Sequence, residues 1–247
     1  MRIWMVGAIA AVAVSAIVAV AYVSLEASAA VVGVLILVAG IGWPHVLGVP
    51  AKKSQSAAMI LSALAATAAA YAAPANQLMM WMPPAVALGV GAVFMIQLIR
   101  GTGQSHRLES TLGASVGVFM ISLGSGWVAA ERLAVNAGNS GVMLVTGISV
   151  LVALAVAVLP WPDRIVAPIG VALAALAGPL CAILFTDVAG LPAAVIGAVC
   201  GAVVVAARRL LISRETPLNV LAALSVGTVP ILAIGSLVYF LDKLFLS

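Results

Sequence analysis

The chain has 247 residues, of which 65% are hydrophobic and 7% charged, with a mean hydropathy of +1.29. Soluble domains carry about 25% charged and 45–50% apolar residues, so this chain has too few charges to clothe a water-facing surface, and a soluble fold is excluded. Its net charge of +4 comes from basic residues scattered in ones and twos, which excludes a nucleic-acid patch and assigns them to topology and anionic lipid headgroups.

A membrane-crossing helix needs about 20 predominantly apolar residues. Nine stretches qualify: 3–24, 29–49, 55–73, 78–99, 108–130, 140–160, 165–186, 191–207 and 218–240, taken below as spans 1 to 9. The expected fold class is therefore all-α, one polytopic transmembrane bundle over residues 1–247 with short connections. Span 1 follows Met1-Arg2 and precedes Ala27-Ser28-Ala29, which has the small-x-small form of a signal-peptidase site. Its apolar run exceeds the 7–15 residues typical of a signal peptide, so residues 1–28 read as an uncleaved signal anchor; cleavage would instead leave eight spans with the N-terminus outside.

Span 2 ends on Trp43-Pro44-His45, and Lys52-Lys53 follows. Span 4 carries Pro83-Pro84 in its first turns and Gln97 near its far end. The turn Arg100-Gly101-Thr102-Gly103-Gln104 that follows suits contact with lipid phosphates, as do Arg107, Arg208, Arg209 and Arg214. In span 5, Thr111, Ser115, Ser122 and Ser125 fall on one face of a 3.6-residue helix. Span 9 echoes that seam in Ser225, Thr228 and Ser236. A substrate path would be lined by Ser115, Ser122, Ser125, Ser225, Thr228 and Gln97, whereas ordinary packing would bond the same hydroxyls to neighbouring helices. Gly113/Gly117 and Gly197/Gly201 have the GxxxG spacing that lets helices approach closely. Pro168 and Pro179 in span 7 and Pro230 in span 9 mark expected kinks, a feature of the broken helices that flank transporter sites.

Basic residues test the span count. With the N-terminus inside, Arg2, Lys52, Lys53, Arg100, Arg107, Arg164, Arg208, Arg209 and Arg214 fall on the cytoplasmic side, and only Arg132 and Lys243 fall outside. That split predicts an N-in, C-out orientation. Trp4, Trp43 and Trp161 fall at inner ends, and Tyr22, Tyr71, Trp81, Trp127 and Tyr239 at outer ends, as two aromatic belts would. The excess of Arg over Lys and the dominance of Ala, Val and Gly fit a GC-rich bacterial genome, which makes the plasma membrane the expected location.

Short motifs recur in order. Trp43-Pro44 matches Trp161-Pro162, Gly91-Ala92-Val93 matches Gly201-Ala202-Val203, and Ser115-Val116-Gly117 matches Ser225-Val226-Gly227. Further along, Leu123-Gly124-Ser125 matches Ile234-Gly235-Ser236, and Glu131-Arg132-Leu133 matches Asp242-Lys243-Leu244. They predict two parallel four-helix repeats, 29–133 and 140–244, behind span 1 and related by an axis along the membrane normal.

Ionisable residues sit at predicted membrane edges, which speaks against a pump built on a midplane carboxylate. His45 and His106 are isolated, and Cys181 and Cys200 lie within apolar runs, so no metal site or cofactor is expected. The chain has no HExxH, GxSxG, Walker A loop or dinucleotide fingerprint, and it is not expected to be an enzyme. Two readings follow: a permease, or permease subunit, for a lipid or weakly charged solute, or a non-catalytic subunit of an envelope or respiratory complex. The expected partners are membrane lipids, together with partner subunits or further copies of the chain, and not nucleic acid. A water-accessible cavity lined by the hydroxyls points to transport. A tightly filled bundle with an apolar outer groove points to a subunit.

Overall fold

A computed structural model of the chain describes residues 3–48, 52–100, 107–136, 141–213 and 218–245. Arg2, His106, Arg214 and the side chains of Arg100 and Arg107 lie outside the described residues. Ten α-helices follow in order: α1 (Ile3–Val20), α2 (Leu25–Leu47), α3 (Lys52–Ala72), α4 (Met82–Arg100), α5 (Arg107–Ser122), α6 (Ser125–Asn136), α7 (Gly141–Ala157), α8 (Asp163–Phe185), α9 (Gly190–Ile212) and α10 (Val220–Phe245). A single 3-10 turn, Ala75–Gln77, precedes α4.

A backbone in lipid has no water to bond, so each span closes its own hydrogen bonds as a helix. The ends follow local chemistry. Ser24 caps α2, its hydroxyl accepting from the Ala27 N–H at 3.2 Å, and Glu26 occupies the first turn. Gly48 ends α2 at φ 68°, a left-handed conformation that glycine adopts without strain.

Among the described residues, eight stretches are long and apolar enough to cross a bilayer, counting Leu108–Asn136 as one, and α7 adds a shorter apolar helix of 17 residues. The multi-pass helical bundle is thus as expected, but the place of the break is not. α8 and α10 run unbroken through Pro168, Pro179 and Pro230, whereas span 5, which contains no proline, divides into α5 and α6 at Leu123-Gly124. Membrane helices tolerate proline where the freed backbone groups find other partners, while Gly124-Ser125-Gly126 gives a helix little intrinsic support.

α10 packs against α1, α2, α5, α6 and α9, and much of its length is buried. α3 packs on α2, α4, α5 and α6, while α7, α8 and α9 form a second group joined to α10 through α1 and α9. Small residues set these contacts, as expected where lipid offers no hydrophobic drive. A Cβ on Gly197 would overlap the Ala174 carbonyl of α8, and one on Gly178 would overlap the Ala193 carbonyl of α9. Gly113 and Gly117 instead face Leu47 and Trp43 of α2. Leu88, Phe94, Leu98, Leu176, Ile183 and Phe185 point outward, where lipid receives them.

Charges sort to two ends. Lys52, Lys53, Asp163, Arg164, Arg208 and Arg209 lie at one, here the basic end. Glu26, Glu131, Arg132, Asp187, Asp242 and Lys243 lie at the other, the acidic end. The aromatic belts need correction: Trp127 and Tyr239 are buried at 1% and 3% exposure. The Trp127 indole N–H donates to the Ile231 carbonyl at 2.8 Å, and that of Trp43 donates to Gly113 at 2.9 Å, so both rings serve helix contacts. Trp4, Tyr22, Trp81 and Trp161 are exposed near helix ends.

Candidate functional site: the joint in span 5

Leu123 and Gly124 interrupt the span beside α10. The Gly124 N–H bonds the Ile121 carbonyl at 3.1 Å, and the Gly126 N–H bonds that of Leu123 at 3.0 Å. These three-residue bonds tighten the chain locally. Ser236 Oγ of α10 donates to the Leu123 carbonyl at 2.6 Å, and Ser125 Oγ donates to the Ser122 carbonyl at 2.8 Å. Ser62 Oγ of α3 donates to Ala85 of α4 at 2.7 Å and stands 3.4 Å from Ser122 Oγ. Four buried hydroxyls from α3, α5, α6 and α10 thus surround the joint.

α10 and α6 touch backbone to backbone there. A Cβ on Gly126 would overlap the backbone nitrogen of Ser236, and a Cβ on Gly235 would lie 2.7 Å from the nitrogen of Trp127. The motifs Leu123-Gly124-Ser125 and Ile234-Gly235-Ser236, matched in sequence, therefore meet in space. They differ in form, because α10 is continuous where α5 and α6 are not.

Not every predicted path residue joins this cluster. Ser122 and Ser125 do. Ser225 faces α2 instead, donating to the Ala39 carbonyl at 2.9 Å, and Thr228 bonds back to Leu224 in its own helix at 2.8 Å. Gln97 is buried near the basic end, where its Nε2 donates to Ser110 Oγ at 2.6 Å. Thr111 is buried one turn from Ser115, whose Oγ is buried without a hydrogen-bond partner. Sequence reading missed Ser62; it had Ser236 in the echo of the seam, matched to Ser125, but not among the path residues.

Among the basic residues, Lys52, Lys53 and Arg209 are exposed at the basic end, as headgroup contacts require. Arg208 differs and corrects the expectation. It is 7% exposed, and its Nε donates to Ala157 at 2.7 Å while one Nη donates to Leu159 and Trp161 at 3.2 and 3.0 Å. Its other Nη pairs with Asp163. The side chain therefore caps the C-terminal end of α7, where carbonyls lack intrahelical donors. Arg132 repeats the device at the acidic end, donating to Ala70, Tyr71 and Ala73 at 2.8, 2.9 and 2.7 Å at the end of α3. Glu131 and Asp242 lie at that end too, but are buried at 6% and 0% exposure.

The described cavities lie elsewhere. One of ≈ 50 Å³ sits between α1, α7, α9 and α10, walled by apolar side chains and Arg208. A groove of ≈ 560 Å³ runs along the outer surface of α4, lined by Met82, Val86, Val90, Gly91, Phe94 and Phe119. In this conformation the joint is closed by protein hydrogen bonds. Compared with protein families, characterised proteins and solved structures, the chain matches none.

Proposed function

We propose that the chain is a membrane transport protein, a permease or permease subunit for a lipid or another weakly charged solute, acting in a bacterial plasma membrane. The observation that carries this reading is the broken span. Discontinuous helices at the contact between repeats form the sites of many transporters, since a break frees backbone groups for a solute. Here the break is buried, ringed by hydroxyls and free of charged side chains, and α10 closes it through the Ser236–Leu123 hydrogen bond. Transport on this scheme requires α10 to part from α6 and free that carbonyl. The serine hydroxyls at the joint bond carbonyls rather than a general base, which supports a non-catalytic role.

A second reading, a non-catalytic subunit of a larger membrane complex, is favoured by the saturation of the joint's hydroxyls and by the apolar groove on α4. One experiment separates the two. Ser122→Cys and Ser236→Cys are placed singly in protein whose Cys181 and Cys200 are alanine, then exposed to a membrane-impermeant thiol reagent from each face in cells and inverted vesicles. Reaction from both faces supports a path that opens alternately. Silence from both faces, with a stoichiometric protein retained through purification in mild detergent, gives the subunit reading.

A further inference from the structure

Among the buried polar atoms without a hydrogen-bond partner, those of Gln55 and Ser115 lie on α3 and α5, on the basic side of the joint. Gln55 is 0% exposed on α3 near the basic end, and neither its Nε2 nor its Oε1 has a hydrogen-bond partner. Ser115 Oγ on α5 is likewise buried and unpartnered. Helical register puts both on one interface. Gln55 lies two turns before Ser62 on the same face of α3, and Ser62 meets Ala85 of α4 and Ser122 of α5. Ser115 lies two turns before Ser122 on the same face of α5. Gln97 of α4, bonded to Ser110, and buried Thr111 occupy the same basic-end half of these helices. A column of uncharged polar side chains thus follows α3, α4 and α5 from the basic end to the joint.

Buried amides and hydroxyls are nearly always hydrogen-bonded, to protein or to water, and a membrane interior makes an empty amide harder to tolerate. Gln55 offers an acceptor and two N–H donors, and Ser115 offers one donor with acceptor capacity. A guest that answers both carries donors and acceptors and no net charge. We propose that the α3–α4–α5 interface holds a hydrated polar seam, opening at the basic end, in which Gln55 and Ser115 bind water or a small neutral solute. As the mouth of a path to the joint, the seam deepens the proposed transport role and rests on it. As a wet site, it stands whether or not the joint opens.

The test labels Gln55→Cys and Ser115→Cys with a small cationic methanethiosulfonate, which needs water to reach the thiolate. The protein is reconstituted full-length in vesicles, with the native cysteines replaced. Both positions are expected to react within about tenfold of the exposed Lys52→Cys, because access and thiolate fraction set the rate. A protein that keeps Cys200, buried in α9, as its single cysteine provides the unreactive baseline. Slower labelling in glycerol or urea, used as neutral probes, identifies a solute site, and unchanged labelling identifies water alone. Failure of both cysteines to exceed the Cys200 baseline overturns the seam. Should Gln55→Cys fail to fold, the conservative Ser115→Cys carries the measurement. Silent cysteines at the joint beside reactive ones in the seam would defeat the transport role and leave the seam intact.

Discussion

Arg208 was expected at the lipid headgroups, and it turns inward to hold three carbonyls and a carboxylate. The signal for this was present in the sequence. Gly197, Gly201, Val204 and Arg208 follow the 3.6-residue period, so Arg208 continues the buried stripe of α9 while Arg209 falls outside it. What the sequence does not contain is the destination, because the carbonyls belong to the end of α7, far along the chain. Removing such a group leaves buried acceptors unsatisfied, each a loss of about 1–3 kcal/mol. Arg208→Ala is therefore expected to lower stability by about 2–4 kcal/mol, read as thermal unfolding in detergent. Arg208→Lys should recover only part of it, since an ammonium cannot reproduce the fork. Arg132→Ala should lose less, about 1 kcal/mol, because water reaches its half-exposed site. Equal losses at the two positions would show that burial is not what makes Arg208 matter.

Spans and their order were legible among the elements because hydropathy and length alone specify a membrane helix. The joint was not, because proline is the louder local signal and glycine in a span is usually a packing residue. α8 and α10 continue through their prolines. In span 5 the weak helix former Gly124 sits beside Ser122 and Ser125, and the hydroxyl that steadies the break comes from α10. Glycines on the two faces of these helices should respond differently to an added methyl. Gly126→Ala meets the backbone of α10, which cannot yield as a side chain can. It is expected to lose about 1–3 kcal/mol from overpacking and to loosen α10 from α6. Gly91→Ala on α4 meets nothing within 4 Å, and it should be neutral or gain up to about 1 kcal/mol from helix propensity. A proteolysis or thermal comparison of the two decides it. If Gly126→Ala unfolds no earlier than Gly91→Ala, the α6–α10 contact is not the rigid joint that its geometry describes.

For the whole molecule, the question is how many times the chain crosses the membrane, and α7 decides it. The 17 residues of α7 rise about 26 Å, somewhat less than the roughly 30 Å of a bilayer core. Two features make up the difference. Val158 and Leu159 continue the apolar run, and α7 is largely buried by α1, α8 and α9, so little of its length meets lipid. Its end is closed by Arg208, so it reaches the basic end with its carbonyls already bonded. A crossing α7 puts the chain's two ends on opposite faces, and the excess of basic residues at one end of the bundle predicts that this end faces the cytoplasm. In a bacterial host, a C-terminal alkaline phosphatase fusion should then be active and a C-terminal green fluorescent protein fusion dark. A fluorescent protein placed after Gln104, between α4 and α5, should be bright. The opposite pattern at both positions would invert the orientation and keep the span count. A bright C-terminal fusion together with a bright fusion after Gln104 would mean that one helix fails to cross, and α7 is the one short enough to be it.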